Sequence, residues 1–191
     1  MRILAISGSP RKGNSEILLA KALELCQQYN HQLSFIKASD LNISGCTECD
    51  GCRCTGECII RDDMDEVYNL IKQTHRIIIA SPIFFFGISG QLKLLIDRCQ
   101  CFWYAKYILR KPIPDRGFKR KALLILVGGM KKGQIGVECS EATIKAFLRT
   151  INVKEHDMLS YLGFDEAGSI LKHPSVMNDV IRATMQLLSH D

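Results

Sequence analysis

The chain lacks any run of apolar residues long enough to span a bilayer, and its N-terminal apolar stretch is too short for a secretory signal peptide. It also has no internal repeat and no low-complexity segment. The net charge is +5, but the lysines and arginines are spread along the 191 residues and form no stripe interleaved with aromatics. These absences argue against a membrane protein and a nucleic-acid-binding protein, and they favour a cytoplasmic location.

Two common nucleotide-binding motifs are also missing. Residues 7–15 contain neither the Gly-Lys-Ser/Thr ending of the triphosphate loop nor the Gly-x-Gly-x-x-Gly dinucleotide pattern. They still combine Ser9, Asn14 and Ser15 as neutral donors with Arg11 and with Gly13, which lets the backbone approach closely. Such a turn before a helix suits a monophosphate, although a polar turn with a Ser or Asn helix cap is the plainer alternative.

The pattern of apolar residues alternates between strands and helices. Strands are predicted over residues 2–6, 31–37, 76–81, 122–127 and 154–162, and helices up to residue 29 and over residues 63–73, 89–101, 136–149 and 175–189. Five strands alternating with five helices predict an α/β fold, with a parallel sheet doubly wound by helices in one domain over residues 1–191. The loops at Ser7, Pro82 and Gly128 each follow a strand, so they should meet at the carboxyl edge of the sheet.

The cysteines are the most unusual feature of the composition. There are nine, and five of them lie within residues 46–58. In a reducing cytoplasm such a cluster predicts metal or redox chemistry rather than disulfides. A glycine-containing loop can turn several thiolates onto one centre, so an iron-sulfur site is the first hypothesis for the loop at residues 44–61.

Three motifs together resemble one family. Ser-Gly-Ser-Pro-Arg-Lys-Gly-Asn-Ser follows the first strand, Ser-Pro-Ile-Phe-Phe-Phe-Gly-Ile-Ser-Gly-Gln-Leu-Lys the third, and Gly-Gly-Met the fourth. This combination is similar to the flavodoxin-like NADPH-dependent FMN reductases. With the cysteine loop, placed between the second strand and the following helix, the chain resembles their iron-sulfur flavoprotein branch.

The resemblance implies FMN as a cofactor. The phosphate would be held in the first loop, the ring would be lined by the second, and the third would close over the other side of the ring. The implied binding residues are Ser9, Arg11, Gly13, Asn14, Ser15, Pro82, Ile83, Phe84, Phe85, Phe86, Gly87, Gly128 and Gly129. Relatives often carry Tyr at the position of Phe84, and a hydroxyl contact made there would be absent from this chain.

The resemblance also implies a 4Fe-4S cluster bound by Cys46, Cys49, Cys52 and Cys58, which match the branch spacing of Cys-x2-Cys-x2-Cys followed by a fourth Cys. A ligand set with Cys54 in place of Cys46 stays open. So do a structural zinc site and a loop without metal. Cys99 and Cys101 are expected to be half-buried helix cysteines, and the five histidines show no ligand spacing.

The resulting functional prediction is a redox protein that transfers electrons between FMN, the cluster and an external donor or acceptor such as NAD(P)H or a ferredoxin. A cluster-free NAD(P)H-dependent FMN or quinone reductase and a zinc-stabilised flavin-binding or interaction module are the alternatives. The aromatic and basic segment at residues 102–118 is expected to form a contact in a homo-oligomer, a dimer or a tetramer. No catalytic acid or base is predicted.

Overall fold

A five-stranded parallel sheet forms the centre of the protein. The computed structural model describes residues 1–115 and 119–189. The parallel strands follow the order β2-β1-β3-β5-β6, and a short β4 pairs antiparallel with the end of β3. Their bounds are β1 Arg2–Ser7, β2 Gln32–Lys37, β3 Arg76–Phe84, β4 Gly87–Ile88, β5 Lys121–Gly128 and β6 Glu155–Leu162.

Helices cover both faces of this sheet. They are α1 Asn14–Gln28, α2 Met64–Gln73, α3 Gly90–Arg98, α4 Gln100–Trp103, α5 Gln134–Thr150 and α6 Val176–Leu188, with a π-helix at Tyr104–Ile108 and short 3₁₀ turns at Ala38–Asp40 and Ser169–Lys172. In the described part of the chain, no helix combines the length and apolar character needed to cross a membrane.

The central strands are apolar on both sides because each side faces a separate hydrophobic core. Ile77 and Ile79 of β3 point into the core beneath α2, α3 and α5, whereas Ile78 between them points into the core beneath α1 and α6. A strand covered on both faces needs this continuous run of apolar residues. The flavodoxin-like, doubly wound parallel sheet predicted from the sequence is therefore confirmed.

Two local predictions were wrong. β3 does not end before Pro82 but continues to Phe84, because its last residues pair with β4 in a hairpin. The helix predicted over residues 89–101 breaks at Cys99, and helical structure then continues through the π-helix to Ile108. Residues 116–118 of the predicted oligomer contact lie outside the described residues.

Two buried arginines secure the amino edge of the sheet. The Arg76 guanidinium donates to the carbonyl of Leu187 near the end of α6, at 2.6 Å. The Arg120 guanidinium donates to the carbonyls of Ile71 in α2, Ile151 at the end of α5 and Thr74. Because carbonyls at helix C-termini lack partners within the helix and carry partial negative charge, these cations stabilise three helix ends at once.

Candidate functional site

A cavity of about 540 Å³ opens at the carboxyl edge of the sheet. The loops that follow β1, β3, β5 and β6 form its walls. The described structure brings together here every residue predicted to bind a cofactor except Gly87. Gly87 lies instead in β4, where it pairs with Phe84 in the hairpin.

The first loop forms one end of this cavity. Gly13 caps α1 without a side-chain hydrogen bond, so no capping side chain occupies the first N–H groups of this 15-residue helix, and the acidic residue of its first turn, Glu16, is paired with Lys37. The Ser9 hydroxyl donates to the Arg11 carbonyl at 2.6 Å, which holds the turn closed. The Arg11 guanidinium reaches across the cavity mouth to the Asp165 carbonyl at 3.2 Å. A helix N-terminus and a cation thus lie together, as an anion requires.

The side chain of Asn14 has a supporting position in this loop. Its amide nitrogen donates to the carbonyls of Phe164 and Glu166 at 3.1 and 2.9 Å, and its oxygen accepts from the Ile170 N–H. These bonds fix the segment after β6 against the first loop. The contribution of Asn14 to phosphate binding stays a prediction.

Three successive phenylalanines form an exposed wall of the cavity. Phe84 and Phe86 are each about half exposed, and Phe85 is fully exposed, so none of them is ordinary core. Phe85 and Phe86 have φ angles of 48° and 61° at the turn between β3 and β4. Such angles are strained for residues other than glycine, and strain of this kind concentrates at functional sites.

The sequence prediction missed part of this cavity. The additional lining residues are Val127, Met130, Gly133, Leu162, Phe164 and Asp165. Leu162, Phe164 and Asp165 lie at or just beyond the end of β6. Because ligands in such sheets bind beyond the carboxyl ends of the strands, the end of the last predicted strand was the available signal.

A second cavity, of about 330 Å³, lies within the cysteine loop. Cys46, Cys49, Cys52 and Cys58 all line it, whereas Cys54 does not. A fifth thiol comes from Cys101 of α4, a residue that the sequence prediction treated as an ordinary helix cysteine. The four cysteines predicted from the branch spacing thus line one cavity, and their assignment as ligands stays a prediction.

The cysteine loop is held in an unusual backbone conformation. Glu48 and Asp50, on either side of Cys49, have φ angles of 54° and 56°. The Tyr104 hydroxyl, at the start of the π-helix, donates to the Asp50 carboxylate at 2.7 Å. Gly56 has a φ of 74°, and a Cβ there would lie 2.8 Å from the Cβ of Ala105. The loop therefore packs closely against the π-helix.

The thiols differ in their electrostatic surroundings. Burial raises the pKa of Cys58, but hydrogen bonds from the Ile60 N–H, the Tyr68 hydroxyl and the Arg98 guanidinium outweigh burial and bring that pKa below its ordinary value. Burial raises the pKa of Cys52, and the neighbouring loop thiols raise it further. Burial likewise raises the pKa of Cys101 to about 11, so its thiol stays protonated at neutral pH.

Sequence comparison relates this chain to known flavoproteins. Residues 1–161 match the family model of the NADPH-dependent FMN reductases. An iron-sulfur flavoprotein of Methanocaldococcus jannaschii is 33% identical over 148 residues, which are 77% of this chain and 70% of that protein. An iron-sulfur flavoprotein of Archaeoglobus fulgidus is 37% identical over 105 residues, which are 55% of this chain and 54% of that protein.

The fold has close structural counterparts. An NAD(P)H:quinone oxidoreductase from Methanothermobacter marburgensis superimposes with a TM-score of 0.75 at 18% identity, over 100% of this chain and 98% of that chain. This similarity concerns the fold alone. The matches to the first curated relatives span about half of those proteins' length.

Proposed function

Because this chain belongs to the NADPH-dependent FMN reductase family, and within it to the iron-sulfur flavoprotein branch, we propose that it is an FMN-dependent oxidoreductase carrying a 4Fe-4S cluster. It passes electrons between these two groups and an external donor or acceptor. The observation that carries the proposal is that four loop thiols line one cavity, while the loops predicted to hold the phosphate and the ring line another.

The larger cavity suits FMN in size and chemistry. Its volume is within the usual range for cofactor sites, about 300 to 1,000 Å³. Arg11 and the N-terminus of α1 would hold the phosphate, and the phenylalanine wall would contact the ring. A Cβ at Gly128 would lie 2.9 Å from the Leu162 side chain, and one at Gly129 would lie 3.1 Å from the Asp165 carboxylate. Glycine at both positions therefore lets the loop after β5 pack closely against the residues at the end of β6.

The smaller cavity suits a cluster better than a single zinc ion. Four thiolates on tetrahedral zinc lie about 2.3 Å from the ion, so their sulfurs are within about 4 Å of one another. In residues 1–115 and 119–189, no three His, Cys, Asp or Glu side chains converge closely enough to hold a single metal ion. The thiols surround a space of about 330 Å³ with the Arg98 guanidinium at its wall, which suits a larger anionic group.

The residues of the chain supply position and electrostatics. When bound, FMN exchanges electrons singly or in pairs and the cluster exchanges them one at a time, so together they connect two-electron and one-electron partners. Arg11 and the α1 N-terminus would hold the phosphate and so position the ring. Phe84 and Phe86 would exclude water from the ring edge, and Cys46, Cys49, Cys52 and Cys58 would hold the cluster. We assign no side chain as a general acid or base.

Anaerobic purification followed by flavin, iron, sulfide and zinc analysis tests the proposal. We expect about one FMN, four irons and matching acid-labile sulfide per chain. Flavin without metal would instead support the cluster-free reductase, and zinc without sulfide the zinc-stabilised module. In Cys49→Ala the visible absorbance of the cluster should disappear while FMN stays bound. The matched control Cys54→Ala should keep its iron, and full iron content in Cys49→Ala would contradict the ligand assignment.

The proposal has three further parts. Two or four chains associate, the protein exchanges electrons with NAD(P)H or a ferredoxin, and it is located in the cytoplasm. Trp103, Tyr107 and Ile108 of the aromatic segment are exposed on one surface beside the cysteine loop, and an apolar patch of this kind suits a subunit contact. Light scattering of Ile108→Asp checks this point. A smaller assembly than that of the unaltered protein is expected, and an unchanged mass would place the contact elsewhere.

A further inference from the structure

The inner wall of the thiol cavity contains a completely buried cation. Arg98 is the last residue of α3, and its side chain has no solvent exposure. A guanidinium is seldom buried unless several partners satisfy its five donors, because removing the charge from water costs several kcal/mol. The partners of Arg98 therefore indicate what this side chain is there to hold.

Those partners come from both ends of the cysteine loop. One terminal nitrogen of Arg98 donates to the Ser44 carbonyl at 2.9 Å, just before the first loop cysteine. The other donates to the Ile60 carbonyl at 3.3 Å, just after the last one. Both nitrogens also contact the Asp62 carboxylate, at 2.6 and 3.2 Å, and that carboxylate accepts from the Ser44 N–H. One planar side chain thus joins the two stems of the loop.

The same guanidinium also reaches a thiol. Its second terminal nitrogen lies 3.6 Å from the sulfur of Cys58. The Arg98 Nε is also buried and has no hydrogen-bond partner in the described part of the chain, so one donor of this guanidinium stays unused. The charge of the guanidinium is balanced by the Asp62 carboxylate, which the same terminal nitrogen contacts at 3.2 Å.

We propose that Arg98 is a positioning residue that clasps the cysteine loop shut and, through its contact with Cys58, raises the reduction potential of the cluster. This inference rests on the proposed function. A buried positive charge beside a ligand sulfur stabilises the state that holds one more electron, and the charge of Asp62 opposes this effect. The clasp needs the planar fork of arginine, since the single ammonium of lysine cannot contact both stems and Asp62 together.

The test compares Arg98→Gln, Arg98→Lys and Asp62→Asn with the control Lys93→Gln, which breaks an exposed ion pair to Asp97 on the same helix. Dye-coupled redox titration should shift the cluster potential downward in Arg98→Gln and upward in Asp62→Asn, and should leave it unchanged in the control. Both substitutions remove contacts to the loop, so a loosened loop alone would move the two reduction potentials in the same direction. Shifts in the same direction, or none, would overturn the electrostatic role.

The role of Arg98 in holding the loop closed is tested in protein without the cluster, by the rate of proteolysis in the loop. Trypsin cleavage after Arg53, which is exposed in the loop, is followed in FMN-loaded, iron-free protein; retained FMN shows that each variant is folded. Loss of a charge-assisted hydrogen-bond network corresponds to cleavage at least about tenfold faster in Arg98→Gln and Arg98→Lys. Cleavage at the rate of the control would overturn the clasp. If the unaltered protein contains no iron, the proposed cluster and the potential effect fall together, while the cleavage rate still decides the clasp.

Discussion

Replacing either of two adjacent phenylalanines by glycine should change stability in opposite directions. Phe85 is fully exposed and has a φ of 48°, so its ring contributes no burial and its backbone is strained. A left-handed conformation costs a residue with a side chain about 1–2 kcal/mol. Glycine adds an entropic cost of about 0.5–1 kcal/mol on folding. Phe85→Gly should therefore raise the free energy of unfolding by about 0.5–1 kcal/mol.

Phe84 provides the matched control because it lies in the extended part of β3. It is 46% exposed, so the ring loses about half of a burial worth about 1.5–3 kcal/mol, or about 1 kcal/mol. Glycine adds its entropic cost without relieving any strain. Phe84→Gly should lower the free energy of unfolding by about 1.5–2 kcal/mol, and the two variants should differ by about 2–3 kcal/mol.

Urea unfolding of the FMN-free variants measures this difference. With a slope of about 2 kcal/mol/M, the midpoints of the two variants should lie about 1 M or more apart, with Phe85→Gly above the unaltered protein. Midpoints that coincide, or a midpoint of Phe85→Gly below that of the unaltered protein, would refute the strain argument. FMN should nevertheless bind more weakly to Phe85→Gly, because the variant loses part of the wall that the strained turn presents.

Three further predictions concern single side chains. Arg11→Ala should weaken FMN binding about 10- to 100-fold by removing a charge-assisted contact, which a flavin fluorescence titration measures; unchanged affinity would exclude the phosphate role. Arg120→Met should lower the free energy of unfolding by about 3 kcal/mol or more, since it leaves the carbonyls of three segments without their donor, and a urea midpoint equal to that of the unaltered protein would contradict the helix-end role. Cys101→Ala should retain both iron and FMN because the four loop cysteines at the same cavity already complete a four-thiolate ligand set, and loss of iron would make Cys101 a ligand.

The sequence was sufficient for the framework of the site. The continuous runs of β-branched residues in β3 and β5 predict strands covered on both faces, and parallel strands bring their following loops to one edge whatever the details of packing. For this reason the sequence predicts that the loops containing Arg11, Pro82 and Gly128 meet at one site.

The remaining features depend on tertiary contacts that no local pattern encodes. Cys101 lines the thiol cavity from a helix about forty residues after the loop, and Cys54 does not line it although its spacing is compatible with ligation. Asn14 uses its amide on the segment after β6, over 150 residues away in the chain. In the sequence, Arg98 is an ordinary residue of a predicted helix, whereas in the structure its side chain is fully buried beneath the loop.

The two cavities share no lining residue among those described, and the cysteine loop lies between β2 and α2 without joining the sheet. On the proposed function, flavin uptake and cluster assembly are therefore separate events in the maturation of the protein. A chain synthesised under iron starvation would fold and bind FMN, but its loop cysteines would carry no cluster. The cluster would then form when iron and sulfide become available, and one-electron transfer would begin without new synthesis of the polypeptide.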